Sequence, residues 1–150
     1  IPGIDNTLEP QMRFQRPFYG DWLRHILKLR DVPGSAALAR KIRQRADVCV
    51  SLRQEFAQRL RQGQGEEPVL RHWIDGLETG ALRATQTSTM LDIYRGRHSV
   101  SALKPLLERN REQMERFRHL WRQSLTLHSL EQELEIKFRR DIRCLEELLG

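Results

Sequence analysis

Seven apolar residues, Leu38, Ile42, Ala46, Cys49, Leu52, Phe56 and Leu60, recur at intervals of 4, 4, 3, 3, 4 and 4. Such spacing keeps one face of an α-helix apolar for about six turns, and a pattern of period 2 would be needed for a strand. The helix is predicted to run from Ser35, a natural N-cap, to Gln62, where Gly63-Gln64-Gly65-Glu66-Glu67-Pro68 ends it. A seam of this length needs partner helices, so the fold class expected is all-α, an antiparallel helical bundle of four to five helices.

The flanking sequence supplies those partners. Residues 1 to 17 contain Pro2, Gly3, Pro10 and Pro17 without helical period and are expected to form an extended N-terminal leader. A shorter first helix is expected from Pro17 or Asp21, carrying Trp22, Ile26 and Leu29, until Asp31-Val32-Pro33-Gly34 stops it. After the 63–68 turn, Pro68 sits in the first turn of a helix carrying Leu70, Trp73, Ile74 and Leu77. The run Thr85-Gln86-Thr87-Ser88-Thr89 lacks strong helix formers, so fraying or bending is expected there before Met90, Leu91, Ile93 and Tyr94. Arg95-Gly96-Arg97-His98 reads as a loop, followed by a helix capped by Ser99 or Ser101 with Pro105 in its first turn.

No Gly or Pro occurs between Leu106 and Leu149, yet two apolar series there are out of phase. Leu103, Leu107, Met114, Phe117 and Trp121 form one, and Leu127, Leu130, Leu134, Phe138, Ile142, Cys144/Leu145 and Leu149 the other. The slip predicts a break near 126 to 129, with Ser129 and Gln132 as a capping box, rather than a single helix of about 45 residues.

Charge places limits on function. The 150 residues carry 26 Lys plus Arg against 20 Asp plus Glu, a net +6, and 39% are apolar, enough for one core. Residues 1–65 hold 12 basic against 6 acidic residues and residues 66–150 hold 14 of each, so the whole excess lies in the first half. No stretch free of Asp, Glu, Lys and Arg exceeds eight residues, so no transmembrane helix is expected. The chain opens Ile1-Pro2-Gly3 without an initiating Met, which gives the expectation of one helical domain excised from a longer chain. Two cysteines, Cys49 and Cys144, are too few for a disulfide scaffold and read as buried thiols in a reducing, cytoplasmic setting, although a bridge between them remains open.

Signals for chemistry are weak. His25, His72, His98, His119 and His128 never pair at i+3 or i+4, so no two-ligand metal face arises, and the carboxylate pattern of di-metal bundles is absent. Neither a Gly-x-Ser-x-Gly turn nor a phosphate-binding Gly-rich loop is present. No catalytic residue, metal or cofactor is therefore expected.

Three features point instead to binding. Arg13, Phe14, Arg16, Phe18, Tyr19 and Trp22 interleave aromatic and guanidinium groups, the usual anchors of protein interfaces. On the long helix, Arg40 and Arg43 share an outward face, and Lys41 with Arg45 form a second pair, a pattern that fits a phosphate backbone or simply a solvated surface. Gly76, Gly80, Ala84 and Ser88 repeat every fourth residue as a ridge of small side chains, suited to close helix packing, a homodimer contact or a flat apolar ligand. The leading expectation is a non-enzymatic helical adaptor or regulatory domain that binds another protein or a second copy of itself. Nucleic-acid binding through residues 13–61 and a helical ligand sensor are the alternatives.

Overall fold

The computed structural model describes residues 35–150, and the expected leader, the expected first helix and the cluster Arg13, Phe14, Arg16, Phe18, Tyr19 and Trp22 lie outside them. The described residues form an all-α bundle. Its elements are α1 (Ser35–Arg61), α2 (Glu67–Tyr94), a 3-10 turn (Val100–Leu103), α3 (Lys104–Trp121), α4 (Leu127–Leu134), a π-helical segment (Glu135–Arg139) and α5 (Arg140–Leu149). Helical backbone is continuous from α4 through the π segment into α5, so four long helical runs make up the described bundle, as the apolar periodicity predicts. No helix among the described residues is long and apolar enough to cross a membrane.

Helix α1 packs along α2. Ala39, Ile42 and Ala46 are buried and Cys49, Arg53, Phe56 and Leu60 half-buried, which makes Ala39, Ala46, Arg53 and Leu60, seven residues apart, the line facing α2. This corrects the expected seam at one position. Leu52 points outward at 38% exposure beside Val48 at 57%, and the facing place goes to Arg53, whose Nε lies 2.9 Å from Glu78 Oε1. The stem of Arg53 can cover apolar surface while its head stays with a carboxylate.

Glycine closes both α1 and α2. The amide of Gln64 donates to Arg59 O at 2.9 Å and that of Gly63 to Leu60 O at 3.2 Å, while Arg97 donates to Asp92 O at 2.8 Å and Gly96 to Ile93 O at 3.0 Å. These paired bonds need a left-handed residue at the turn, supplied by Gly63 at φ 67° and Gly96 at φ 73°. Pro68 and the acidic Glu67 open α2, where a missing N–H costs nothing and a negative charge suits the helix end.

Two sequence expectations fail locally. Thr85 to Thr89 do not fray but stay within the helix, where Gln86, Thr87 and Ser88 are buried, while Thr85 Oγ1 donates to Ala81 O at 2.7 Å and Ser88 Oγ to Thr85 O at 3.0 Å. Packing outweighs low intrinsic propensity there. The break after α3 falls where the phase slip places it, but its cap is Thr126, whose Oγ1 accepts from the Ser129 amide at 3.2 Å, three residues before the expected one. Leu127, counted with the second apolar series, is 76% exposed.

The core collects Ile42 from α1, Leu82, Met90 and Leu91 from α2, Leu107 and Phe117 from α3, and Leu134, Phe138 and Leu145 from the last run. A polar layer crosses it. Gln86 Nε2 donates to Asp141 Oδ2 at 2.7 Å, Asn110 Nδ2 donates to Gln86 Oε1 at 2.9 Å, and Arg83 reaches the π segment's carbonyls.

Candidate binding groove

An open groove of about 1100 Å³ runs between α1 and the C-terminal half of α2. Small side chains form much of its floor: Ala36, Ala39 and Ala46 from α1, Thr85, Ser88 and Thr89 from α2. Around them stand Arg40 and Arg43 from α1, Arg95, Arg97 and His98 from the turn after α2, and Arg109 from α3, with Asp47 and Asp92 as the acidic members. Five guanidiniums against two carboxylates leave a formal surplus of three positive charges, with the His98 imidazole beside them.

Asp92 organises this cluster. Its side chain is only 6% exposed and accepts a hydrogen bond from Arg43 Nη2 across the helix pair. Arg95 Nη1 lies 3.4 Å from the other carboxylate oxygen, and His98 Nε2 lies 3.8 Å from Oδ2. Burying a carboxylate costs free energy that an ion pair offsets, and here the partners come from α1, from its own helix and from the turn that Gly96 folds back. Arg40, Arg97 and Arg109 have no carboxylate at ion-pair distance among the described residues, so their charge faces the groove unspent.

The structure distributes the sequence candidates unevenly. Arg40 and Arg43 line the groove together, whereas Lys41 is exposed, Arg45 is half-buried, and neither lines it. The small-residue ridge divides: Gly80 and Ala84 are buried within the bundle, Ser88 reaches the groove floor, and Gly76 borders a different cavity between α2, α3 and α4. Arg95, Arg97 and Arg109 belong to the charge-balanced half of the chain, and only the Asp92 to Arg95 spacing of three hinted at their assembly.

Cys49 and Cys144 are free thiols, and burial raises the Cys49 thiol above its ordinary value, with the Arg45 charge opposing. That direction disfavours the reactive thiolate. Among the described residues no three His, Cys, Asp or Glu side chains come together in a way that could hold a metal ion. The chain matches no protein-family model, no curated protein and no solved structure at a significant level.

Proposed function

We propose that this chain is a non-enzymatic helical adaptor or regulatory module that binds an acidic segment of another protein in the α1–α2 groove. The observation that supports it is the surplus of guanidinium groups on a concave surface, three of them without an acidic partner among the described residues. Guanidinium forks suit carboxylates, which they can hold through two parallel hydrogen bonds. Each exposed pair is worth only about 0.2–1 kcal/mol, so the groove acts mainly by speeding encounter and by selecting charge sign. The floor of small side chains lets an extended backbone lie close between the arginines.

Fluorescence anisotropy with a labelled Glu-rich peptide tests this reading. We expect binding at low salt that weakens as salt rises, and a loss of roughly tenfold or more, about 1.4 kcal/mol, in the double charge reversal Arg40→Glu/Arg97→Glu. Absence of binding at low salt, or binding indifferent to the double reversal, would overturn it. Arg40 and Arg43 on one face of α1 also fit a nucleic-acid backbone. That second reading is favoured if an oligonucleotide binds more tightly than the peptide, with an affinity whose logarithm falls against log salt by about 0.9 per phosphate contacted.

A further inference from the structure

A second cavity, of about 540 Å³, opens between α2, α3 and α4 and shares no lining residue with the α1–α2 groove, and its size is in the range of small-molecule sites. Asp75 stands at its wall with only 7% of its surface exposed. Each oxygen has one neutral donor: Gln113 Nε2 at 2.9 Å from Oδ1 and Trp121 Nε1 at 3.3 Å from Oδ2. No cation lies within ion-pair distance of this carboxylate among the described residues. The nearby Arg116 is turned to Gln113, with Nε 3.0 Å from Oε1. Lys137, the one cationic side chain lining the cavity, is 3.5 Å from Glu133.

The adjoining wall is aromatic. The Phe117 and Trp121 rings stack with centroids 5.6 Å apart and planes 26° from parallel. Aromatic faces attract cations, and a carboxylate held by two neutral donors retains free lone pairs for a third, charged one. A neighbouring cavity of about 450 Å³ also touches Asp75, but Arg71 and Arg116 line it together with Glu78, so cationic groups already stand there. Gly76 also lines the first cavity, and a Cβ added to it would meet nothing within 4 Å, so the cavity is open at that edge.

We propose that this cavity binds a small primary amine on an aromatic or branched apolar body, its ammonium on Asp75 and its body against Phe117 and Trp121. Burial pushes the Asp75 carboxyl above its usual range, and hydrogen bonds from Trp121 and Gln113 with the charges of Arg116 and His72 only partly oppose this. A bound ammonium removes that residual penalty by supplying the missing counter-charge. The site is independent of the α1–α2 groove, and its occupancy stiffens the α2–α3–α4 contact rather than the α1 face.

Titration of the native chain with 2-phenylethylamine, and separately with the uncharged 2-phenylethanol, tests the proposal. The readout is the NMR signal of the Trp121 indole N–H, assigned by its loss in Trp121→Phe. We expect a saturable shift with the amine and roughly tenfold weaker binding of the alcohol, the size of one charge-assisted hydrogen bond. Asp75→Asn should bring the amine down to the level of the alcohol. Gly76→Leu, which fills the cavity from the open side, should abolish both while leaving the helical circular dichroism unchanged. Equal binding of amine and alcohol, no shift with either, or undiminished binding in Gly76→Leu would each overturn it. Should Asp75→Asn fail to fold, the amine and alcohol contrast in the native chain decides alone.

Discussion

Asp141 is wholly removed from solvent, an unusual position for an aspartate. Gln86 donates to its Oδ2, Oδ1 has no hydrogen-bond partner, and burial outweighs the opposing Arg83 charge and Gln86 hydrogen bond to push the carboxyl from 3.8 up to about 6. A carboxyl whose folded value exceeds its unfolded value binds a proton more tightly in the fold. Its stabilising contribution is therefore absent above pH of about 6, grows as pH falls, and is complete below the unfolded value. This runs opposite to the usual acid unfolding of paired carboxylates. At about 1.4 kcal/mol per unit, the shift corresponds to a contribution on the order of 3 kcal/mol. Asp141→Asn keeps the acceptor for Gln86 without the charge, so urea unfolding should find the variant more stable than the native chain at pH 8, with the difference vanishing toward pH 4. A constant difference across that range would show that Asp141 does not titrate as described. A smaller effect belongs to Thr126, whose hydroxyl caps α4: Thr126→Ala should cost about 1 kcal/mol in the same measurement and Thr126→Ser almost nothing.

Among the elements, the π segment Glu135–Arg139 departs from α-helical geometry inside a continuous helical run. Widening the helix by one residue leaves backbone carbonyls without their usual donors, and Arg83 Nη2 donates to both Ile136 O and Lys137 O at 3.2 Å. Arg83, only 5% exposed, thus ties α2 to the last helical run and lies in the field of Asp141. Arg83→Met should cost about 3–5 kcal/mol, since it strands two carbonyls and a buried carboxyl together. Combining it with Asp141→Asn should return part of that loss, a coupling of about 0.5–3 kcal/mol in a double-mutant cycle; strict additivity would count against a shared network. Element boundaries set by punctuation were legible in the sequence: Gly63 closes α1, Pro68 and Gly96 bracket α2, and the phase slip marks the end of α3. The π segment was not, because Glu135 to Arg139 keep an ordinary helical composition and the extra residue is held by Arg83, more than fifty positions away. Nor was the burial of Gln86, whose partners Asn110 on α3 and Asp141 on α5 lie far along the chain.

At the scale of the molecule, both halves of a chain of net charge +6 bring arginines to one groove. The first half contributes Arg40 and Arg43 to the groove, and the neutral half contributes Arg95, Arg97 and Arg109, brought there by the return of α2 and the packing of α3. Linear charge balance is blind to that meeting, and likewise to Asp75, whose acidic side chain gave no sign of facing an aromatic cavity. The bundle is also mechanically uneven. Among the described residues, helix α1 rests principally on α2, its second half buries no residue fully, and Val48, Val50 and Leu52 are exposed, whereas Met90, Leu91, Leu103, Leu134 and Leu145 have no solvent exposure. Local opening follows the number of buried apolar contacts that must be broken. Native-state hydrogen exchange in low denaturant should therefore find the amides of residues 50–61 exchanging through small openings with little denaturant dependence, while those around Leu91 and Leu134 exchange only through global unfolding. Ile42, with no solvent exposure, anchors the first half of α1, so Ile42→Ala should cost about 2–5 kcal/mol and extend the weakly protected stretch toward Ser35. If α1 amides instead join the global exchange curve in the native chain and in Ile42→Ala alike, the helix is cooperative with the core and the one-sided packing does not govern its opening.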